Sequence, residues 1–267
     1  LDANSKISLS NNDLGAYNTV FGKLAGAALA SGGDGNLFIG ENAGNDVTTA
    51  DYNIAIGYQA FNQATDDCDN NIAIGVAAMS GNIASNDVSN CVAIGHEVMD
   101  GVLTSTAAGS VAIGASALGA LTSGIGNVAI GFQSLDATTT GEANTMVGYK
   151  TGTALPAGGD ANTAVGYRAL VAGNNDTTHG NTCIGYQAGA QITTGFNNTY
   201  IGANVDGNTA TFDNVTAIGN NFEATQDDTV FLGNNDTEEV WMALDKGATV
   251  HCAAVTEGSA LRIKKNI

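Results

Sequence analysis

Proline is almost missing from this chain, with Pro156 alone among 267 residues. Aromatic residues make up only 6%, and Lys plus Arg number eight against 26 Asp plus Glu. With a formal charge of −18, the chain lacks the clustered cations that phosphate contacts require, which excludes a direct nucleic-acid role. The same shortage disfavours an anionic membrane surface. There is no apolar run of the roughly 18 residues that a membrane span needs, and Leu1-Asp2-Ala3-Asn4 does not read as a signal peptide. Cysteine occurs four times, at Cys68, Cys91, Cys183 and Cys252, without a CxxC pair, so no zinc spacing exists and no cofactor is implied. The histidines His96, His179 and His251 share no spacing with one another and no evident nucleophile or carboxylate partner.

What the chain has in excess is glycine, 36 residues, and thirteen of these close one short phrase. Its clearest forms are Asn53-Ile54-Ala55-Ile56-Gly57, Asn127-Val128-Ala129-Ile130-Gly131 and Asn162-Thr163-Ala164-Val165-Gly166. The phrase ends at Gly22, Gly40, Gly57, Gly75, Gly95, Gly114, Gly131, Gly148, Gly166, Gly185, Gly202, Gly219 and Gly233. A period near 18 with β-forming residues in each copy predicts stacked short strands: an all-β, parallel β-solenoid of about 13 coils.

The columns of the phrase differ in character. The residue before the glycine is always apolar, and the one three before it is Thr, Val, Ile or Leu. Two before the glycine, seven of thirteen residues are Ala. Side chains alternate along a strand, so the first two columns share one face and the Ala column takes the other. On this reading the large aliphatics build each chain's core, and the small Ala column packs against a neighbouring chain. Four before the glycine, Asn recurs nine times, which predicts an amide ladder between coils. A second small column, Ala25, Ala43, Ala60, Ala78, Ala117, Ala169 and Ala188, predicts a second short strand beyond each glycine corner. The variable segments between phrases are expected on the outside of the stack.

Around this array lie a lead-in or capping strand (residues 1–13), the repeats (14–233), and a β-hairpin cap (234–258). The cap reading rests on Val240-Trp241-Met242-Ala243-Leu244 and Ala248-Thr249-Val250-His251-Cys252 flanking Asp245-Lys246-Gly247. Residues 259–267 differ again and hold three of the eight basic residues.

Candidate sites are few, and no catalytic residue is assigned. Tyr58, Tyr149, Tyr167 and Tyr186 each follow a repeat glycine and form either a packing stripe or a sugar-stacking platform. Asp66, Asp67 and Asp69 are either a solvated loop or weak ligands for a hard cation. Gly32-Gly33-Asp34-Gly35-Asn36-Leu37-Phe38 resembles the calcium-binding nonapeptide but carries Leu37 where that motif needs Asp. Thr145, Thr163, Thr182, Thr199 and Thr216 form one Thr column, and an ice-binding use would need it to face outward. Because it shares the face of the aliphatic column, it is expected to point inward. Hydrolysis of a glycan would call for two acidic side chains about 5–10 Å apart in a groove.

The tandem Asn-x-Ala-Ile-Gly-x-x-Ala phrase resembles the head repeat of trimeric autotransporter adhesins, across residues 14 to 233. That resemblance implies a left-handed parallel β-roll, with three chains around one axis, small residues inward and glycines at corners. The coils here are longer than the usual adhesin repeat. A second likeness lies in Ser259-Ala260-Leu261-Arg262-Ile263-Lys264-Lys265-Asn266-Ile267. It is similar to the junction between phage tail fibres or tailspikes and a C-terminal intramolecular chaperone, which reads Ser-Asp-x-Arg-x-Lys-x-Asn-Ile. Ser259, Arg262, Lys264, Asn266 and Ile267 match, whereas Ala260 replaces the Asp of the self-cleavage step and implies a disabled junction. The expectation is a homotrimeric tail-fibre segment on a virion or otherwise extracellular, folded with its chaperone domain and contacting host surface glycan or protein through its loops. A cellular adhesin, a structural spacer and a glycan depolymerase are the alternatives.

Overall fold

The computed structural model describes residues 7–8, 15–83, 87–104, 107–155, 157–173, 178–234 and 236–237. The hairpin expected within residues 234–258 and the junction at Ser259, Ala260, Arg262, Lys264 and Asn266 lie almost wholly or wholly outside the described residues. The chain divides into a unit of residues 1–235 and a second of 236–267, and the description that follows is of the first.

A three-residue strand precedes each of the thirteen repeat glycines. In chain order these begin, after β1 (Ile7–Ser8), with β2 (Thr19–Phe21), β3 (Leu37–Ile39), β4 (Ile54–Ile56), β5 (Ile72–Ile74) and β6 (Val92–Ile94). They continue with β7 (Val111–Ile113), β8 (Val128–Ile130), β9 (Thr145–Val147), β10 (Thr163–Val165), β11 (Thr182–Ile184) and β12 (Thr199–Ile201). The last coils add β13 (Val205–Gly207), β14 (Thr216–Ile218), β15 (Phe222–Ala224) and β16 (Val230–Leu232). The phrase strands stack in parallel and in register, Ile54 on Ile72 on Val92, into one sheet of fourteen strands that includes β1. The chain is thus a parallel β-solenoid. At its start β1 runs antiparallel to β2, with Ile7 opposite Phe21.

The assignment of faces predicted from the sequence is reversed. Ala55, Ala73, Ala93, Ala112, Ala129 and Ala164, two before the glycine, are fully buried inside the coil. The aliphatic columns on either side, such as Ile54 and Ile56, face outward and are half-buried. The cause is the narrow interior. A coil of 17 to 20 residues has room for one large side chain at this level, and in these coils that side chain comes from four residues after the glycine. Ala55 is matched by Phe61, Ala73 by Met79, Ala93 by Met99, Ala112 by Leu118, Ala129 by Leu135 and Ala164 by Leu170, all buried. Up to Gly189, where the inward strand residue is larger than Ala its match is glycine: Phe38 with Gly44, Met146 with Gly152, Cys183 with Gly189. A Cβ on Gly44 would lie 2.6 Å from the Phe38 ring, and one on Gly152 3.1 Å from Met146 Sδ. The coils up to Gly189 therefore conserve interior volume by exchanging size between two positions, as close-packed cores require.

The expected second strand is replaced by a turn in most coils. Residues two and four after the glycine adopt left-handed backbone, as at Gln59 (φ 56), Phe61 (φ 53), Ala77 (φ 53) and Met79 (φ 49). Left-handed geometry costs an L-residue about 1–2 kcal/mol. Stacking bonds offset that cost: the Gln59 N–H donates to the Glu41 carbonyl at 2.9 Å, and the Phe61 N–H to the Ala78 carbonyl at 2.9 Å. The corner glycine has a second reason besides its φ of +141 at Gly57: a Cβ there would collide with the Gly75 carbonyl of the next coil.

The Asn ladder forms as predicted, from Asn18 to Asn71 and again from Asn127 to Asn198. Asn162 Oδ1 accepts from the backbone N–H of Asn181 (3.0 Å) and from its side-chain Nδ2 (3.1 Å). Asn162 Nδ2 in turn donates to Asn144 Oδ1 (3.2 Å) and to the Thr178 carbonyl (2.8 Å). A second ladder was not anticipated. Six residues before the glycine, Asp51 Oδ1 accepts from the Asp34 N–H (2.6 Å), and Asp69 Oδ1 from the Asp51 N–H (2.7 Å). Asp160, Asp213 and Asp227 cap the N–H groups of Glu142, Phe196 and Asp213 in the same way. Part of the acidic excess is therefore structural.

Candidate functional site

Three of the four singled-out tyrosines come together. Tyr149, Tyr167 and Tyr186 stack with Phe132 into one column, with ring centroids 5.2–5.4 Å apart and planes within 16° of parallel. Tyr58 is not among these stacked rings, since its column neighbours are Glu41 and Val76. The stack changes what the column offers. A sugar platform needs a free ring face, but here Tyr149 and Tyr167 have both faces covered by neighbouring rings, and only the outer faces of the end rings Phe132 and Tyr186 lack an aromatic neighbour. The Lys150 ammonium lies 5.7 Å from the Tyr149 ring centre.

The Thr column faces outward, contrary to expectation, because the strand face carrying it is the outer one. Thr145, Thr163, Thr182, Thr199 and Thr216 pair in register and are half-buried. They continue a stripe that is aliphatic in the earlier coils.

The acidic loop is already engaged. Asp66 accepts from the Thr48 hydroxyl and Asp69 from the Asp51 N–H, while the intervening Cys68 is buried. Among the described residues no group of three or more His, Cys, Asp or Glu side chains is placed to hold a metal ion. Cys68, Cys91 and Cys183 are unbridged and buried. Burial pushes the Cys68 thiol up to about 11 and raises Cys91 and Cys183 as well, so all three stay protonated and unreactive.

One concave feature stands apart: a groove of about 840 Å³ where the repeat breaks. In the coils closed by Gly202 and Gly219, the residue two after the glycine is still left-handed, Asn204 (φ 51) and Asn221 (φ 51). The residue four after it is not. The chain runs extended instead, and β13 pairs with β15 in a small parallel sheet. Strand alternation then sends Val205 and Ala224 into the core, while Asp206 and Glu223, paired in register, line the groove on the other face. The two carboxylates thus occupy the sequence positions that hold Met79 or Leu118 in earlier coils.

Their surroundings differ. Asp206 is only 5% exposed, and its carboxylate accepts from the Gly207 N–H (2.9 Å) and the Gln191 N–H (2.8 Å). Burial lifts its carboxyl to about 6, against the pull of backbone donors at Gly207, Gln191 and Ala190 and with a push from Glu223. Glu223 is exposed. Gln187, Gln191, Asn204 and Asn221 surround the pair, and Phe222 and Phe231 supply two rings 5.2 Å apart and tilted by 51°.

No family model, curated protein or solved structure matches this chain. The groove is therefore judged on its own chemistry. Sequence reasoning missed it, although a signal was present. Asp206 and Glu223 are the only acidic residues found four positions after a repeat glycine, where other coils place an apolar or glycine residue up to Gly189. Among the described residues no helix is long and apolar enough to cross a membrane.

Proposed function

We propose that this chain is a segment of a homotrimeric, left-handed β-roll fibre of the phage tail-fibre kind, working outside the cell and contributing to attachment at a host surface. One observation carries the reading. The outer face of the long sheet bears one apolar column running from Ile39, Ile56 and Ile74 to Ile218, beside a second that is aliphatic from Leu37 to Val128 and threonine from Thr145 to Thr216. At ~4.8 Å per rung this stripe is on the order of 60 Å long. A contiguous apolar face of that extent seeks a partner, and a rod of in-register rungs is matched over its whole length by further copies of itself. The interface is thereby assigned to the aliphatic columns and not to the Ala column.

In such a fibre the mechanism is mechanical and multivalent. Three copies of each surface feature act together, and effective concentration amplifies weak contacts. Ser259 and its matching neighbours add the likeness to a chaperone junction, with Ala260 in place of the Asp used for cleavage. Light scattering at micromolar concentration should give three times the chain mass, and a monomer would refute the assembly. Retention of the purified protein on host cells, and its loss when surface polysaccharide is stripped, tests attachment. A second reading, cleavage of a surface glycan, is favoured by the Asp206–Glu223 register pair. New reducing ends released from host polysaccharide, and abolished by Glu223→Gln, would establish it.

A further inference from the structure

We infer that the groove between β13, β15 and the end of the array is a binding subsite for a neutral, hydroxyl-rich saccharide. The inference rests on the attachment reading and relocates recognition from the inter-phrase loops to the coils where the repeat breaks.

The groove exists because two coils give up the left-handed turn at the fourth position, which forfeits two apolar core residues at Asp206 and Glu223. Repeat arrays keep such departures where they serve something other than stability. Its volume, about 840 Å³, lies within the range of pockets that take a ligand of several rings.

The lining selects the chemistry. Carboxylate and amide groups each present two adjacent hydrogen-bonding atoms, which match the paired hydroxyls of a pyranose. Asp206 and Glu223 offer acceptors, while Gln191 and Asn204 offer both donors and acceptors. Phe222 and Phe231, half-buried against the core, give one wall of the groove an apolar character that suits the C–H edge of a sugar ring. The groove lining includes no Lys, Arg or His, so a phosphate, sulfate or uronate would meet only negative charge. Asp206 is held in place by its two backbone donors, so its free acceptor capacity is preorganised. With the carboxyl lifted to about 6, it also donates a proton readily in mildly acid conditions.

The test is an array of neutral and acidic oligosaccharides probed with the labelled full chain, followed by titration of the neutral compounds that retain it. Retention on neutral glycans is expected, with at least ten-fold weaker binding for Glu223→Ala and for Gln191→Ala, both on exposed side chains. Unchanged circular dichroism and melting confirm that these variants fold, and Tyr58→Ala, outside the groove, should bind like the parent. Retention only on acidic glycans overturns the inference, as does neutral binding indifferent to both substitutions. Failure of the parent chain to bind any glycan also overturns it, yet retention on host cells would still leave the attachment reading standing. Loss of both sinks the two together.

Discussion

Exchanging the two halves of one core pair offers the sharpest test of how this interior is built. Met146 and Gly152 carry the large and small members in their coil, whereas Ala129 with Leu135 and Ala164 with Leu170 carry them the other way round on either side. Met146→Ala empties a fully buried site and should cost about 2–5 kcal/mol. Gly152→Leu adds a side chain whose Cβ alone would sit 3.1 Å from Met146 Sδ and 3.2 Å from Leu135 Cδ2. Overpacking of this kind costs about 1–3 kcal/mol. The backbone itself raises little objection, since Gly152 has φ 63 and Leu135 and Leu170 hold φ 52 and 49 at the equivalent place. The double variant reproduces the arrangement of both neighbouring coils, and its total loss should stay below about 1 kcal/mol, so the substitutions couple by several kcal/mol. Arrays can unfold in pieces, so a local readout is preferable to a single melt. Hydrogen exchange at the Leu135 amide, bonded to the Thr151 carbonyl at 3.0 Å, and at the Gly152 amide, bonded to Ala169 at 3.1 Å, supplies it. If the two single losses simply add within about 0.5 kcal/mol, the pairing has no energetic content and the account of the core fails.

Further expectations concern the ladder, the stripe and the buried carboxyl. Asn162→Ala leaves the Asn181 N–H without its acceptor in a buried site and should destabilise by about 2–4 kcal/mol, read as faster exchange at Asn181; an unperturbed Asn181 amide would contradict it. Ile74→Lys, on the outer face in mid-array, should leave the circular dichroism unchanged but shift the light-scattering mass from trimer to monomer. Asp206 has a folded-state carboxyl raised to about 6 from an ordinary 3.8, so the folded state binds more protons and stability falls as pH rises from about 4 to about 6. The fall is about 3 kcal/mol, and Asp206→Asn should abolish that part of the pH dependence in denaturant melts at pH 4 and 7.

The period, the parallel stacking and the Asn ladder were legible because each recurs in most coils and so rises above local variation. The faces were misread for a physical reason. Large aliphatics usually mark an interior, but three-residue strands around a narrow coil leave room inside only for Ala plus one partner. That partner lies beyond the glycine, at Phe61, Met79 or Leu118, and the compensation shows only when both columns are compared coil by coil. The second strand was overcalled because left-handed backbone at Gln59 or Ala77 leaves no mark in residue type. Tyr149, Tyr167 and Tyr186 were recognisable as a column, but their mutual coverage depended on ring orientation. Asp206 and Glu223 looked like ordinary surface acids until register paired them.

The hydrogen bonds that join one coil to the next run along the stacking direction, as in the bond from the Gly57 amide to the Ile39 carbonyl at 2.8 Å. A pull on the chain end along the array therefore opens the bonds of one rung in turn, as a zipper does. When a rung does give way, it frees a coil of 14 to 20 residues, which can extend by roughly 45–65 Å at ~3.4 Å per residue. Each rung thus acts as a sacrificial link with one coil's length of slack behind it. A tether made this way would yield under drag in discrete steps and recoil by restacking, while its neighbours stayed intact.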